Sequence, residues 1–166
     1  MIYRFIAYLK FIFTSTNQHG IHSPFIYDFA TKCLYKRVYK GPKTIGVLLK
    51  SIAYFKANSV HITSKHMNIQ SQVKNAFPQI EFDDYPCDIM YFDCPNTELF
   101  HGGTEDGLYH NNTMIMVKSI HQNKENNDIW ELMKGNEKVT VSVDLFYCGV
   151  LFFRKEQAKE HFKIRL

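Results

Sequence analysis

Two apolar patterns alternate along this chain. Apolar residues recur every three or four positions in some stretches, as in amphipathic helices, and form short dense runs in others, as in buried strands. Helices are predicted at about Pro24–Tyr35, Thr44–Lys56, Asn68–Phe77 and Glu125–Lys134. Strands are predicted at Ser59–Thr63, Gln79–Phe82, Asp88–Asp93 and Thr113–Lys118. Helices that alternate with strands indicate a parallel sheet in an α/β fold.

The C-terminal part departs from this alternation. Val139 to Phe153 holds two β runs that break near Tyr147-Cys148-Gly149, which predicts an antiparallel hairpin. We therefore predict one compact α/β domain, in which a mostly parallel sheet ends in an antiparallel edge. Residues 1–37 are predicted to form an N-terminal helical cap, and residues 38–166 the core.

The N-terminal stretch is apolar but too short to span a bilayer. Arg4 and Lys10 interrupt it, and no small-residue cleavage site follows, so a signal peptide is not favoured. On a helix, one side carries Ile2, Phe5, Ile6, Leu9, Ile12 and Phe13, and the opposite side carries Arg4, Ala7, Tyr8 and Lys10. We favour a helix docked on the domain. The alternative is a helix that binds a membrane surface or a partner.

A polar elbow follows this helix. Ser23 is a good N-cap and Pro24 a good first helical residue. His19 and His22 have the H-x-x-H spacing that can ligate a metal, but no third ligand is evident, so no metal site is predicted. We favour histidines that bond the backbone and fix the elbow. Their other candidate role is to contact a substrate or to form part of a lid.

Composition narrows the function classes. The net charge is only +4, and adjacent cations occur only at Lys36-Arg37 and Arg154-Lys155, so nucleic-acid binding is not predicted. The cysteines are far apart and form no C-x-x-C pair. They therefore predict reduced thiols in a cytoplasmic protein.

The turn after the first strand lacks the usual feature of a cofactor loop. No glycine falls between Gly46 and Gly102, although nucleotide-binding cores need glycine there so that the backbone can approach the ligand. The turn reads Thr63-Ser64-Lys65-His66-Met67. Ser64, Lys65 and His66 are thus the candidate cofactor-binding residues, and their side chains are expected to crowd that space.

Motifs at both ends of the chain carry a family resemblance. They are Asn17-Gln18-His19-Gly20-Ile21-His22-Ser23-Pro24-Phe25 with Asp28-Phe29, and the C-terminal run from Val139 to Phe162. Both resemble bacterial class I S-adenosylmethionine-dependent methyltransferases of the O-methyltransferase type, and Asp88–Asp93 is similar to that family's fourth strand. The resemblance implies a Rossmann-like fold with S-adenosylmethionine as cofactor.

Three departures from the family concern its cofactor and active site. The first strand ends in Thr63-Ser64, with neither the family's acid nor its glycine loop. About forty residues separate Ile52 from Asp93, too few for the family's second strand, whose acidic end binds ribose, together with its following helix. Val117 to His121 also lacks the acids expected after the fifth strand. We therefore predict a shortened, degenerate, non-catalytic relative that does not bind the cofactor and serves as a binding module.

The sequence leaves other functions open. An active methyltransferase could hold its cofactor through Lys65 or His66, and the N-terminal helix could make the chain a membrane-surface or interaction module. Asp93, at a strand end, and His121, as a general base, are the candidate catalytic residues, although each could simply bond a loop. The partner is an unidentified small molecule or protein, and an apolar sheet edge could support a homodimer.

Overall fold

The computed structural model describes residues 2–37, 39–63, 67–98, 100 and 107–166. These residues form an α/β fold around a seven-stranded, mostly parallel sheet. The strands are β1 (Ser59–Ile62), β2 (Glu81–Phe82), β3 (Cys87–Phe92), β4 (Tyr109–Lys118), β5 (Val141–Asp144), β6 (Cys148–Phe152) and β7 (Glu160–Lys163). The helices named below are α1 (Ile2–Thr14), α2 (Pro24–Phe29), α3 (Lys43–Phe55), α4 (Met67–Ala76) and α5 (Lys124–Gly135).

The strand order is β2-β1-β3-β4-β6-β5-β7. β6 runs antiparallel to both of its neighbours, and every other pair of neighbouring strands is parallel. The predicted hairpin of β5 and β6 is confirmed. Its position at the edge is wrong, because β7, which was not predicted, pairs with β5 and lies outside it.

Successive residues of the central strands point to opposite faces of the sheet, as the pleat requires. Tyr91 and Met116 join a core that also contains residues of α2, α3 and α4. Phe92 and Val117 belong to a second core, which is closed by Trp130 of α5. The segment predicted as a cap therefore shares its core with the sheet, since Ile26 and Phe29 of α2 lie in the same cluster as Phe152.

The predicted first and last residues of the helices agree in part with the structure. Ser23 Oγ accepts a hydrogen bond from Ile26 N at 3.4 Å, and Pro24 opens α2, as predicted. α2 then continues as a wider π-helical turn, Ala30–Leu34. The helix predicted at Glu125–Lys134 extends one residue further, to Gly135, and Asn136 is the C-cap.

The interval between Ile52 and Asp93 contains the strand β2 but no helix after it. Glu81 and Phe82 pair in parallel with Ser59 and Val60 of β1, so the prediction of a strand within Gln79–Phe82 is confirmed. Residues 83–86 then lead directly into β3 without a helix, as expected of an interval too short for a strand together with a following helix.

The sheet edges differ from the apolar edge that was expected to support a homodimer. β2 is two residues long, and Glu81 is exposed. β7 is flanked by the N-terminal segment, where Thr16 N donates to Lys163 O at 2.8 Å and Arg165 N donates to Thr16 O at 3.2 Å. Neither edge offers a long apolar strand, so the homodimer stays a prediction without this support.

α1 is docked on the domain as predicted, but through the other face. Phe11 is buried, and the rings of Phe11 and Tyr8 lie 5.5 and 4.9 Å from the ring of Phe146. The predicted contact side, which includes Phe5 and Phe13, points to solvent. The physical reason is that the opposite side carries the aromatic rings of Tyr8 and Phe11, which fit against Phe146, and apolar periodicity does not register this fit. No described helix has the length and apolar content needed to cross a membrane.

We expect Gly149→Ala to destabilise the fold, because a Cβ there would lie 2.3 Å from the Trp130 ring. The indole is fully buried and cannot move aside, so the free energy of unfolding should fall by about 1–3 kcal/mol. Gly135→Ala is the matched control, since nothing lies within 4 Å of a Cβ at that helical position. Urea denaturation measures both variants. Equal midpoints for Gly149→Ala and the wild type would contradict the packing.

Candidate functional site

The carboxyl ends of the parallel strands β1, β3, β4, β5 and β7 meet at one edge of the sheet, here called the carboxyl edge. Ligands of open α/β sheets bind at this kind of edge. Asp93 follows β3, Lys118 ends β4, and Asp144 ends β5. His121 lies three residues beyond β4, so both candidate catalytic residues lie at the carboxyl edge, where the sequence predicted a site.

The Asp93 carboxylate already contacts two neighbouring side chains, Lys118 and Tyr91. Its Oδ1 lies 3.7 Å from Lys118 Nζ and accepts a hydrogen bond from the Tyr91 hydroxyl at 3.4 Å. Burial, followed by the Asp93 charge, raises the pKa of Tyr91 above its usual value, so this hydroxyl stays protonated and keeps donating. Asp93 thus acts here as the counter-ion that positions Lys118.

His121 is buried, and both of its ring nitrogens are engaged. Nε2 lies 2.7 Å from Asp144 Oδ2, and Nδ1 lies 2.9 Å from the amide oxygen Oδ1 of Asn127. A carboxylate can only accept, so Nε2 is the donor in the first contact. A general base needs a nitrogen with a free lone pair, and His121 has none available. Its geometry is that of a structural residue.

Asp144 is the centre of this buried cluster. Only 4% of its surface is exposed, and its second oxygen accepts a hydrogen bond from Phe146 N at 2.8 Å. The Phe146 ring stacks on the His121 ring with the centroids 5.3 Å apart. Tyr8 and Phe11 of α1 also contact the Phe146 ring, so the cluster lies beneath the N-terminal helix.

The other predicted site residues lie elsewhere. Ser64, Lys65 and His66 fall outside the described residues, so the predicted crowding of the cofactor loop stays a prediction. His19 and His22 are exposed on the elbow, and neither lines the carboxyl-edge cavity described below. The elbow's described bonds come from other side chains: Asn17 Oδ1 accepts from His19 N, and Ser23 caps α2.

Asp83 was not among the predicted site residues. It directly follows β2, where the family resemblance implies a ribose-binding acid. One of its oxygens lies 2.5 Å from His61 Nδ1, and the Tyr85 hydroxyl lies 2.9 Å from the same nitrogen. The signal in the sequence was an acid immediately after the Gln79–Phe82 strand.

A cavity of about 490 Å³ opens at the carboxyl edge beside Lys118. Three cationic side chains from distant parts of the chain line it, namely Arg4, Lys43 and Lys118. The remaining described lining is uncharged or aromatic apart from His121, and consists of Pro42, Thr44, Ser119, His121, Gln122, Phe146 and Tyr147. The described lining therefore contains three cations and no carboxylate.

The N-terminus of α3 faces the same cavity. Pro42 occupies the N-cap position and makes no side-chain capping bond, while Lys43 and Thr44 belong to the first turn. The first N–H groups of a helix have no partner within the helix, and the helix dipole adds positive potential at that end. Together with the three cations, this end of α3 makes the cavity attractive to anions.

A neighbouring cavity of about 640 Å³ extends the positive surface. Its lining includes Lys36, Arg37, Lys40, Lys43 and Lys50, so Lys43 lies between the two cavities. Lys50 is partly committed to structure, because its Nζ donates to Leu34 O, and burial lowers its pKa. The sequence signal was a cation at every third or fourth position from Lys36 to Lys43; only the adjacent pair Lys36-Arg37 was noticed.

Two loops that line the 490 Å³ cavity have unusual backbone conformations. Ser119 and Phe146 have φ values of 63° and 67°, in the left-handed region. Bulky residues adopt this conformation rarely, and such residues concentrate at functional sites. The described chain has two further left-handed residues other than glycine, Lys56 and Asp83, which do not line this cavity.

The described residues offer neither an activated thiol among Cys33, Cys87 and Cys148 nor a group of metal ligands. Burial raises the pKa of Cys33 to about 11 and the pKa values of Cys87 and Cys148 to about 12, so these thiols are not activated nucleophiles. Within the described ranges, no three His, Cys, Asp or Glu side chains are grouped so that they could hold a metal ion.

Comparisons of the chain with protein-family models, curated proteins and solved structures gave no match. The methyltransferase resemblance of the end motifs therefore stays a prediction.

We expect His121→Ala to cost about 3 kcal/mol of unfolding free energy or more, because it leaves the buried Asp144 carboxylate without its side-chain hydrogen-bond donor. His121→Gln, which can still donate to Asp144, should lose less. The exposed His22→Ala is the control and should change stability by no more than about 0.5 kcal/mol. Denaturation in urea tests the three variants. A His121→Ala protein as stable as the wild type would show that the buried pair is not structural.

Proposed function

We propose that this chain is a Rossmann-like domain of the methyltransferase type that binds a small anionic ligand and does not transfer methyl groups. The observation that carries the proposal is the 490 Å³ cavity, with its three cations, the open N-terminus of α3 and no carboxylate in its described lining. Its volume is typical of small-molecule sites.

The fold is compatible with the methyltransferase part of the proposal. Parallel strands β1, β3 and β4 are followed by the closing antiparallel hairpin that the resemblance implies. The motif that begins at Asn17 has a structural role in this chain. Asn17 Oδ1 accepts a hydrogen bond from His19 N in the elbow, and Ser23 caps α2. A motif that specifies an elbow can persist whether or not the domain keeps an activity.

S-adenosylmethionine does not fit the described residues well. The acid after β2 that would hold the ribose is already paired with His61. Asp93 is paired with Lys118, and both nitrogens of His121 are engaged. The cofactor also carries a cationic sulfonium, which the positive charges of the carboxyl-edge cavity would repel. The described residues therefore do not support methyl transfer by this chain.

An anion has several matched partners in the cavity. The Arg4 guanidinium can bond two oxygens of a phosphate or carboxylate at once, and Lys43 and Lys118 act as point charges. Free backbone N–H groups of the first turn of α3 can add uncharged donors. This donor set suits a compact phosphate- or carboxylate-bearing molecule better than an extended polyanion.

One observation favours an active methyltransferase as the second candidate. Asp83 lies at the end of β2, where the resemblance implies the ribose-binding acid, and more than half of its side chain is exposed. A ligand could therefore reach it if His61 moved away. This candidate requires Lys65 or His66 to hold the rest of the cofactor.

A thermal-shift titration with S-adenosylmethionine separates the two candidates. A ligand that binds only the native state at micromolar affinity would stabilise it by about 4 kcal/mol at a thousandfold excess over Kd, a large rise in Tm. We expect no shift at millimolar cofactor. A clear rise that disappears in Asp83→Asn would reject the binding-module proposal in favour of the active enzyme.

A second titration tests the anion site with inorganic pyrophosphate as the probe. We expect binding to the wild type, and a Kd increased roughly tenfold by Lys43→Gln and by Lys118→Gln, since each removes a charge-assisted bond. Lys32→Gln makes the same change in charge at an exposed side chain of the π-helical turn Ala30–Leu34 and serves as the control, with little expected effect. Isothermal calorimetry gives the affinities. Equal loss in all three variants would mean non-specific charge attraction, and absence of binding would reject the proposal.

A further inference from the structure

The outward face of α1 is defined here as Ile2, Phe5, Ile6, Leu9 and Phe13. These residues recur at helical spacing and form one stripe. Their exposure is high, with 77% of Ile2, 63% of Phe5 and 85% of Phe13 open to solvent. Single exposed apolar residues are common on proteins, but a contiguous stripe with two phenylalanines marks an interaction surface.

The exposure of this face is imposed by how α1 docks. Phe11 and Tyr8 contact Phe146 from the opposite side of the helix, and Ala7 and Tyr3 lie beside the buried cluster under α1. Turning the outward face inward would remove these ring contacts from Phe146. The stripe is therefore held towards solvent by packing on the other side of the helix.

The charges around α1 are predominantly positive. The helix contains Arg4 and Lys10 and no acid. Among the described residues, neither cation lies within 4 Å of a carboxylate. Lys163, which also lies under α1, donates to Thr14 Oγ1 at 3.5 Å, and Arg4 continues the positive lining of the 490 Å³ cavity.

Negative charge near the start of α1 comes from α5, and it is largely paired. Asp128 lies 2.6 Å from Lys124 Nζ, and Glu131 lies 2.7 Å from Lys134 Nζ. The surface that surrounds the outward face thus presents unpaired cations and neutralised acids. This is the charge pattern that complements an anionic lipid surface.

We propose that the outward face of α1 inserts into the surface of an anionic lipid membrane. Such helices lie in the interfacial plane, with the apolar face among the upper acyl chains and the cations at the depth of the headgroups. Here the domain itself takes the place of the polar face, so Lys10, Lys163 and Arg4 lie at headgroup depth when the stripe inserts. The proposal is independent of the anion-binding function.

A second copy of the chain fits this face less well than a lipid surface. Thirteen helical residues span about 20 Å, so the stripe offers on the order of 200–400 Å². A stable dimer commonly buries about 800 Å² on each partner. Two facing stripes would also bring together the unpaired Lys10 cations at their margins, whereas acidic headgroups would attract them.

Co-sedimentation with lipid vesicles tests the proposal on the full chain. We expect binding to phosphatidylcholine vesicles that contain about one third phosphatidylserine, and much weaker binding to phosphatidylcholine alone. Phe5→Ser combined with Phe13→Ser should reduce the partition coefficient roughly tenfold or more, because two large apolar side chains no longer enter the lipid. Both residues point outward, so the Tm should not fall.

Two further variants make the result specific. Leu132→Ser removes an exposed apolar residue from α5, 67% open to solvent, and should leave vesicle binding unchanged. Lys10→Gln should weaken binding to the acidic vesicles by a fewfold, and salt should weaken binding of the wild type. Sedimentation equilibrium of the same proteins measures self-association.

Three outcomes would overturn the proposal. The first is no sedimentation with the acidic vesicles. The second is binding that survives Phe5→Ser with Phe13→Ser, which would assign it to charge elsewhere on the chain. The third is a dimer that this double variant dissociates, in a protein that does not bind vesicles, which would assign the outward face to a second copy.

Discussion

The buried carboxylate of Asp144 is the constraint on which the carboxyl edge depends. A charge with so little exposure must be paired and hydrogen-bonded, or the fold pays a large desolvation cost. His121 and the backbone N–H of Phe146 meet that need, and they fix the loops after β4 and β5 relative to each other. The Phe146 ring then forms the platform on which α1 rests. The orientation of α1 and the position of Arg4 both follow from this cluster.

This arrangement favours binding over catalysis. The residues that looked most reactive, His121 and Asp93, have their polar atoms engaged by Asp144, Asn127 and Lys118. The side chains left to meet a ligand are Arg4, Lys43 and Lys118, of which Lys118 is paired with Asp93. Such a set can hold and orient an anion, but it offers no free base and no activated nucleophile. These observations are why we propose that the carboxyl edge binds an anion.

The sequence was a reliable guide to elements and an uneven guide to their arrangement. Ser23, Pro24 and the buried run that forms β3 were interpreted correctly, because caps and apolar runs act within a few residues. β7 was missed, since Glu160–Lys163 is polar and becomes a strand only through pairing with β5. β2 was predicted within Gln79–Phe82, and its two residues become a strand by pairing with β1.

The sequence alone determined the α/β class, the helix periodicity, the parallel core strands and the closing hairpin, since these depend on local hydrogen bonding and on spacing along the chain. It also placed Asp93 and His121 at strand ends. Only the tertiary structure decided which face of α1 is buried, because the choice rests on the contacts of Tyr8 and Phe11 with Phe146. It alone brought Arg4, Lys43 and Lys118 to one cavity, because residues so far apart along the chain meet only when the helices pack on the sheet.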